Sequence, residues 1–165
     1  ELGTFNLLRT LPISIERIIF SKILSQIFLL SIILVPTIIF IYSIGTLSSP
    51  TFNIDFGIIF SAYLSLLLLI IVFVCLSALA SSMANKQALS FVLGVFLNFV
   101  FWQGPQEMSK IFNFDFTFQS LNYHFQNISR GVLDFSSVGF YLGLILMIMG
   151  LIILRFRWNY LKSKI

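Results

Sequence analysis

Residues able to do chemistry are few and scattered in this chain of 165 residues. His124 is its only histidine and Cys75 its only cysteine. A single imidazole with no second histidine and no neighbouring carboxylate motif makes a poor metal or catalytic centre, so the sequence favours a structural or interfacial role for His124. Cys75 lies inside an apolar run with no second cysteine to form a disulfide or a thiolate metal site, which indicates a packing residue.

Motifs for nucleotide chemistry and for ion coupling are missing as well. The sequence has no glycine-rich phosphate loop and no GxxxxGK(S/T) pattern. It also has no catalytic set of serine, histidine and aspartate whose members could all lie on the same side of a membrane. No ionisable residue lies deep in its long apolar runs, where ion-coupled transporters keep acidic or basic groups. We therefore expect no cofactor in this chain, no enzymatic activity and an energy source on another polypeptide.

The elements around these residues are predicted to be membrane helices. Hydrophobic residues make up 58% of the chain and charged residues 10%, and the mean hydropathy is +1.01. About 20 apolar residues are needed to cross roughly 30 Å of hydrocarbon as a helix. The sequence predicts an all-α, polytopic membrane protein with four spans, at residues 23–45, 57–80, 86–103 and 138–154. Because the chain starts with glutamate, we expect it to be the later part of a longer protein.

Proline and polar residues divide these spans. Pro36 predicts a kink in the first span, residues 46–55 a loop, and residues 81–87 a tight polar turn. The pair Gly104-Pro105 predicts the end of the third helix. Asn98 lies within that helix, and we expect its amide to make a packing hydrogen bond to another helix rather than to serve transport.

The charged residues predict the orientation. One side of the spans carries eight cations and two carboxylates, whereas the other carries two cations and four carboxylates. By the positive-inside rule the first side is cytoplasmic, and both ends of the chain lie on it. The position of the cations on the cytoplasmic side accounts for the net charge of +4, so we expect no binding to nucleic acid. In the tail, residues 155–165, cations alternate with aromatic residues, which predicts anchoring to membrane lipid headgroups.

Residues 1–22 predict a short amphipathic helix followed by a second helix that runs into the first span. Leu8 and Leu11 fall on one side of the first helix, and Pro12 ends it. Ser14 is a good N-cap for the second helix, and Glu16 places negative charge in its first turn. Two interpretations stay open, an interfacial helix that flanks a span and a docking element for a soluble partner.

Residues 104–137 form a long external segment. Phe112, Phe114, Phe116 and Phe118 alternate with polar residues, which we interpret as an extended aromatic stretch at the membrane surface. After it, the spacing of four apolar residues predicts a surface helix that ends near Gly131. These residues are Leu121, Phe125, Ile128 and Val132.

Two motifs resemble those of a known family. Residues Glu1, Gly3-Thr4, Leu7-Leu8, Leu11-Pro12-Ile13-Ser14, Glu16 and Lys22 are similar to the E…GT…LL…LP(I/V)S…E…K pattern of permease subunits of type II ABC exporters. The subgroup that the sequence resembles is the gliding-motility permeases called GldF. The resemblance implies that this segment is the cytoplasmic coupling helix, which binds a separate ATPase subunit through Glu1, Gly3, Thr4, Leu8, Leu11, Pro12 and Glu16.

The second motif precedes the last span. His124-Phe125, Arg130-Gly131-Val132-Leu133-Asp134 and Phe140-Tyr141 resemble the HF…RG(V/I)(I/L)D…YF pattern of the same permeases. The resemblance implies an external gate formed by His124, Phe125, Arg130, Gly131 and Asp134. It also implies six spans in the whole protein, a second permease subunit in a homo- or heterodimer, ATP on the partner subunit and a place in the bacterial inner membrane.

Two functions follow from these expectations. The first is a permease subunit of an ATP-driven exporter, with gliding motility or secretion as the process that the resemblance implies. The alternative is a membrane anchor or scaffold subunit of a motility or secretion complex, which would use the same surface helix to hold a cytoplasmic partner without transporting anything.

Overall fold

A computed structural model describes residues 15–48, 54–84, 86–112, 115, 117–132 and 134–162. In these ranges the chain is all-helical and contains no strand. The helices are α1 (Ile15–Leu34), α2 (Ile38–Leu47), α3 (Phe56–Met83), α4 (Gln87–Phe112), α5 (Leu121–Ser129) and α6 (Phe135–Lys162). Short 3-10 turns lie at Val35–Thr37 and Thr117–Gln119.

Four stretches of the described chain are long and apolar enough to cross a membrane. They are Glu16–Leu47, Phe56–Met83, Gln87–Phe112 and Phe135–Trp158. The sequence-based expectation of four long apolar helices is confirmed. Three of the four extend beyond the predicted spans at both ends, because a helix can continue into the headgroup region once its apolar part has crossed the bilayer. The stretch Gln87–Phe112 begins one residue after its predicted start and extends only beyond its predicted end.

The first long helical stretch changes its hydrogen-bond pattern at Pro36, where the sequence predicts a kink. Val35–Thr37 forms a 3-10 turn between α1 and α2, since proline has no N–H to donate to the preceding turn. The Thr37 hydroxyl donates to the Leu34 carbonyl at 2.6 Å. Because that proton is used, the Tyr63 hydroxyl of α3 donates to Thr37 Oγ1, also at 2.6 Å. A hydrogen bond to the neighbouring helix therefore holds the break in place.

Helix α4 corrects one prediction, because it runs through Gly104-Pro105 and ends at Phe112. Part of the penalty on a helical residue before proline is a clash with that residue's Cβ, which Gly104 lacks.

The predicted polar turn at 81–87 was also too long, because α3 continues to Met83 and α4 begins at Gln87. Ser82 lies within α3, and its hydroxyl donates to the Leu79 carbonyl at 2.7 Å.

The aromatic stretch before α5 also differs from the prediction. Phe112 lies in α4 and Phe118 in the 3-10 turn, so neither is part of an extended segment. A lone extended strand would leave its backbone groups unpaired, whereas a helical turn pairs them locally. Phe114 and Phe116 lie outside the described residues.

Helix α3 is the centre of the bundle, and it packs against α1, α4, α5 and α6. Cys75 is buried in the core with Val72, Leu76 and Ile148, in agreement with its predicted packing role. The Asn98 amide of α4 donates to Ser77 Oγ of α3 at 3.1 Å, which confirms the predicted interhelical hydrogen bond. Its carbonyl oxygen is buried and has no partner within the described residues.

Helix α1 is attached only along one narrow face. Among its described side chains, Ile19 and Ile23 are the buried ones, and both lie in its first half. Near the same end, Glu16 forms an ion pair with Arg157 of α6. The first and last long helices thus meet at one end of the bundle.

Candidate functional site

The predicted gate residues lie on and around α5, a short helix with a cap at each end. The Ser120 hydroxyl accepts a hydrogen bond from the Tyr123 N–H at 3.1 Å, which satisfies one of the free donors of the first turn. At the other end the Arg130 N–H donates to the Gln126 carbonyl at 3.3 Å. Gly131 follows with a φ of 91°, a left-handed conformation that glycine adopts at little cost. These signals limit the helix to Leu121–Ser129.

Asp134 starts the next helix. Its carboxylate accepts the Ser136 N–H at 3.1 Å, and its backbone carbonyl accepts the N–H groups of Ser137 and Val138 at 3.1 and 3.2 Å. In the Arg130–Asp134 motif, glycine therefore ends one helix and aspartate begins the next. The motif turns the chain sharply from α5 into α6, which brings both helices together around His124.

His124 is the centre of a cluster that we call the histidine cluster, formed with Phe118, Tyr123, Ser137, Phe140 and Tyr141. The imidazole is 0% exposed. It stacks on the Phe140 ring at a centroid distance of 4.2 Å and an interplanar angle of 25°. The rings of Phe118, Tyr123 and Tyr141 meet it edge-on. The cluster therefore joins the 3-10 turn, α5 and the first turns of α6.

Both ring nitrogens of His124 have partners, and these partners determine the tautomer. Nε2 lies 2.8 Å from the Phe118 carbonyl, which can only accept, so Nε2 carries the proton. Nδ1 lies 2.9 Å from Ser137 Oγ and accepts the hydroxyl proton in the neutral ring. Burial lowers the pKa of His124, while the hydrogen bond to Phe118 and the charge of Asp134 act in the opposite direction.

This arrangement makes His124 a cross-link between elements. With Nε2 donating and Nδ1 accepting, neither nitrogen is available to bind a metal or remove a proton from a substrate. Within the part of the chain that the structure describes, no three histidine, cysteine, aspartate or glutamate residues are grouped to hold a metal ion. The role of the histidine cluster is therefore to hold α5 in position.

Further contacts hold α5 against α3 and α4. The Ser65 hydroxyl of α3 donates to the Phe125 carbonyl at 3.2 Å. The Phe125 ring meets the edge of Trp102 of α4 at a centroid distance of 5.6 Å, and Trp102 in turn meets Phe73 at 6.1 Å. Gly131 lies against α3, where an added Cβ would be 3.3 Å from Ile58 Cγ1. The α5 helix thus covers one end of the bundle.

The structure brings most of the predicted gate residues together. His124 and Phe125 face the bundle, Gly131 and Asp134 form the turn, and Arg130 is exposed. The sequence missed Ser137, Phe118 and Ser65, which supply polar partners to α5. Nothing in the local sequence marks a serine or a backbone carbonyl as a hydrogen-bond partner of a distant helix. Phe140, which stacks on His124, was already part of the second motif.

Of the predicted ATPase-coupling residues, the structure describes only Glu16. Glu1, Gly3, Thr4, Leu8, Leu11 and Pro12 lie outside the described residues. Glu16 is described, and its side chain is 50% exposed while it pairs with Arg157. This pair lies at the end of α3 that contains Ser81 and Ser82, whereas α5 lies against Ser61 and Ser65 at the opposite end.

Comparisons of the chain with protein-family models, with curated proteins and with solved structures find no match.

Proposed function

We propose that this chain is part of the permease subunit of an ATP-driven ABC-type exporter, with the ATPase on a separate polypeptide. The proposal starts from the motif resemblance described above. The observation that carries it is that Glu16 and Lys22, the described residues of the first motif, lie at the opposite end of the bundle from the second motif. Glu16 is paired with Arg157 at one end, and the His124 region covers the other.

A transport subunit needs such a division between a cytoplasmic coupling end and an external gate. The charge distribution puts the Glu16 end in the cytoplasm. Ser61 and Ser81 mark the two ends on α3, and 20 residues of helix separate them by about 30 Å, the thickness of the hydrocarbon core. A motor acting on residues 1–14 would therefore act across the membrane from α5.

The attachment of α1 supports the proposed mechanism. ATP-driven closure of the ATPase pair would push on residues 4–11, for which the sequence predicts a helix, and, through α1, tilt the first span against a second permease subunit. Helix α1 has only Ile19 and Ile23 buried among its described side chains, so this tilt would disturb few contacts in the core. The α5 helix would open at the external side.

The proposal is tested by co-purification of the full-length protein. A nucleotide hydrolase should come out with it in mild detergent, and the Leu8→Asp, Leu11→Asp double variant should lose this partner and the stimulation of its ATPase activity. A matched control is Leu47→Asp, which adds charge at an exposed residue at the other end of the first span. An assembly that keeps its biological activity with a hydrolysis-dead ATPase would instead support the scaffold function.

The orientation is tested separately by cysteine labelling. Cys75 is buried and is replaced by alanine, as is any cysteine of the full-length protein outside these 165 residues, to give a background without cysteine. Single cysteines at Lys86 and Val132, both exposed, should then react with an impermeant maleimide from opposite sides of the membrane. Labelling of Lys86→Cys in intact cells would refute the cytoplasmic assignment of that end and, with it, the coupling role of residues 1–22.

A further inference from the structure

A crevice with a polar end and an apolar continuation lies between α1 and α3. Its first part is a cavity of about 150 Å³ bounded by α1, α3 and α6, near the Glu16–Arg157 pair. Ile19, Ile23 and Ile152 form an apolar wall, and Lys22, Gln26 and Ser81 supply polar groups. A cavity with this lining suits a ligand that is itself amphipathic.

The polar groups of this cavity have free hydrogen-bonding capacity. Within the described parts of the chain, Lys22 forms no ion pair, and neither the Gln26 amide nor the Ser81 hydroxyl makes a hydrogen bond. An ammonium, an amide and a hydroxyl all donate hydrogen bonds. Together they suit an anion with several acceptor oxygens, such as a phosphodiester.

The charge around this end also favours an anion. The described residues there include five cations and one carboxylate, and the carboxylate, Glu16, is already paired with Arg157. The five cations are Arg17, Lys22, Lys86, Arg155 and Arg157. Each cation near a membrane surface strengthens the attraction of anionic lipid.

The crevice continues away from this end as an apolar groove. A second cavity of about 450 Å³ shares Gln26 and Ser77 with the first and runs past Leu30 and Phe73. From Lys22 to Leu30 the α1 helix rises about 12 Å, directed into the hydrocarbon layer. The polar end therefore lies where a lipid headgroup lies, and the groove lies where its acyl chain lies.

We propose that this crevice is a binding site for one anionic phospholipid molecule of the leaflet at the Lys22 end. Its phosphate binds the Lys22 ammonium and the Ser81 hydroxyl, and one acyl chain lies along Leu30 and Phe73. The bound lipid would fill the space beside the narrow α1 contact and stabilise the position of α1 against α3. The site does not depend on an ATPase partner, so its test is independent of the transport proposal.

The test is native mass spectrometry of the full-length protein in detergent with added phosphatidylglycerol or phosphatidylcholine of the same acyl chains. One phosphatidylglycerol should bind more tightly than phosphatidylcholine, and Lys22→Gln should weaken it about tenfold, the loss expected for one hydrogen bond between charged groups in the site. Arg155→Gln is the matched control, because Arg155 is an exposed cation at the same end that does not line the crevice. Equal losses in both variants would show general surface attraction and overturn the proposal.

The groove is tested without changing charge. Leu30→Trp should fill it and weaken phosphatidylglycerol binding about as much as Lys22→Gln does, whereas Leu24→Trp, at an exposed residue of α1 outside both cavities, should leave binding unchanged. A thermal unfolding scan of each variant establishes that it is folded. Displacement of the lipid by inorganic phosphate alone, or unchanged binding in Leu30→Trp, would overturn the assignment to a phospholipid.

Discussion

Replacing His124 by phenylalanine should destabilise the protein through lost hydrogen bonds alone. The phenyl ring can keep the stack on Phe140, now at 4.2 Å, but it bonds neither Ser137 nor the Phe118 carbonyl. The Ser137 side chain is buried, at 1% exposed, so its hydroxyl would lose its partner away from solvent. One buried group without its partner costs about 1–3 kcal/mol, so we expect a loss in that range.

His124→Ala should cost more because it also removes the ring. A buried large-to-small substitution adds the loss of packing and a cavity, and the stack on Phe140 contributes about 0.5–1.5 kcal/mol by itself. The sum is a loss of about 3–5 kcal/mol, larger than that of His124→Phe. The difference between the two variants separates the volume of the ring from its hydrogen bonds.

Reversible unfolding of the full-length protein in detergent, followed by circular dichroism, measures both losses. Hydrogen exchange at residues 121–129 should rise in both variants, because the histidine cluster holds α5 to α6. Tyr123→Phe is the matched control, since Tyr123 is 38% exposed on the same helix, and it should change stability by no more than about 0.5 kcal/mol. A His124→Phe variant as stable as the wild type would refute the reasoning that both nitrogens act as cross-links.

Three further predictions follow from the same structure. Gly131→Ala forces a Cβ into a left-handed conformation, so it should lose about 1–2 kcal/mol in the same unfolding assay, whereas Gly150→Ala, with open space around it, should lose none. Glu16→Arg should lose no more than about 1 kcal/mol because the pair with Arg157 is exposed, and the added Arg157→Glu exchange should restore it; an unrestored double variant would assign Glu16 another role. Because the pKa of His124 is lowered in the folded state, stability should be full above about pH 6.5 and should fall as the pH drops from there towards that lowered pKa; a titration in which His124→Phe falls equally would exclude this histidine as the cause.

The sequence was a good guide wherever a local rule decided the outcome. Long apolar runs predicted the four long helices, since each run is close to or above the length of about 20 residues that a helix needs to span hydrocarbon. Pro36 marked the position where the first stretch changes to a 3-10 turn, because it lacks an N–H. For Asn98, the cost of an unpaired amide predicted the bond to another helix, which is made to Ser77.

Local rules failed where a distant element supplied the deciding contact. Apolar spacing predicted a face of α5 that contains Val132, yet Val132 is 61% exposed and follows the helix, while His124 is fully buried. The imidazole can be buried because Ser137 and the Phe118 carbonyl pair with it, and neither partner lies on α5. Pro105 failed as a stop signal, because its effect depends on Gly104 before it.

The position of Trp102 between α3 and α5 makes its fluorescence a reporter of movement in this protein. Its ring touches Phe73 on one side and Phe125 on the other, so its surroundings change if α5 lifts from the bundle. The other tryptophan of the given sequence, Trp158, is 63% exposed on α6, and Trp158→Phe would leave Trp102 as the only emitter within these 165 residues. The fluorescence wavelength of Trp102 would then act as a built-in optical gauge of the position of α5, readable without any attached dye.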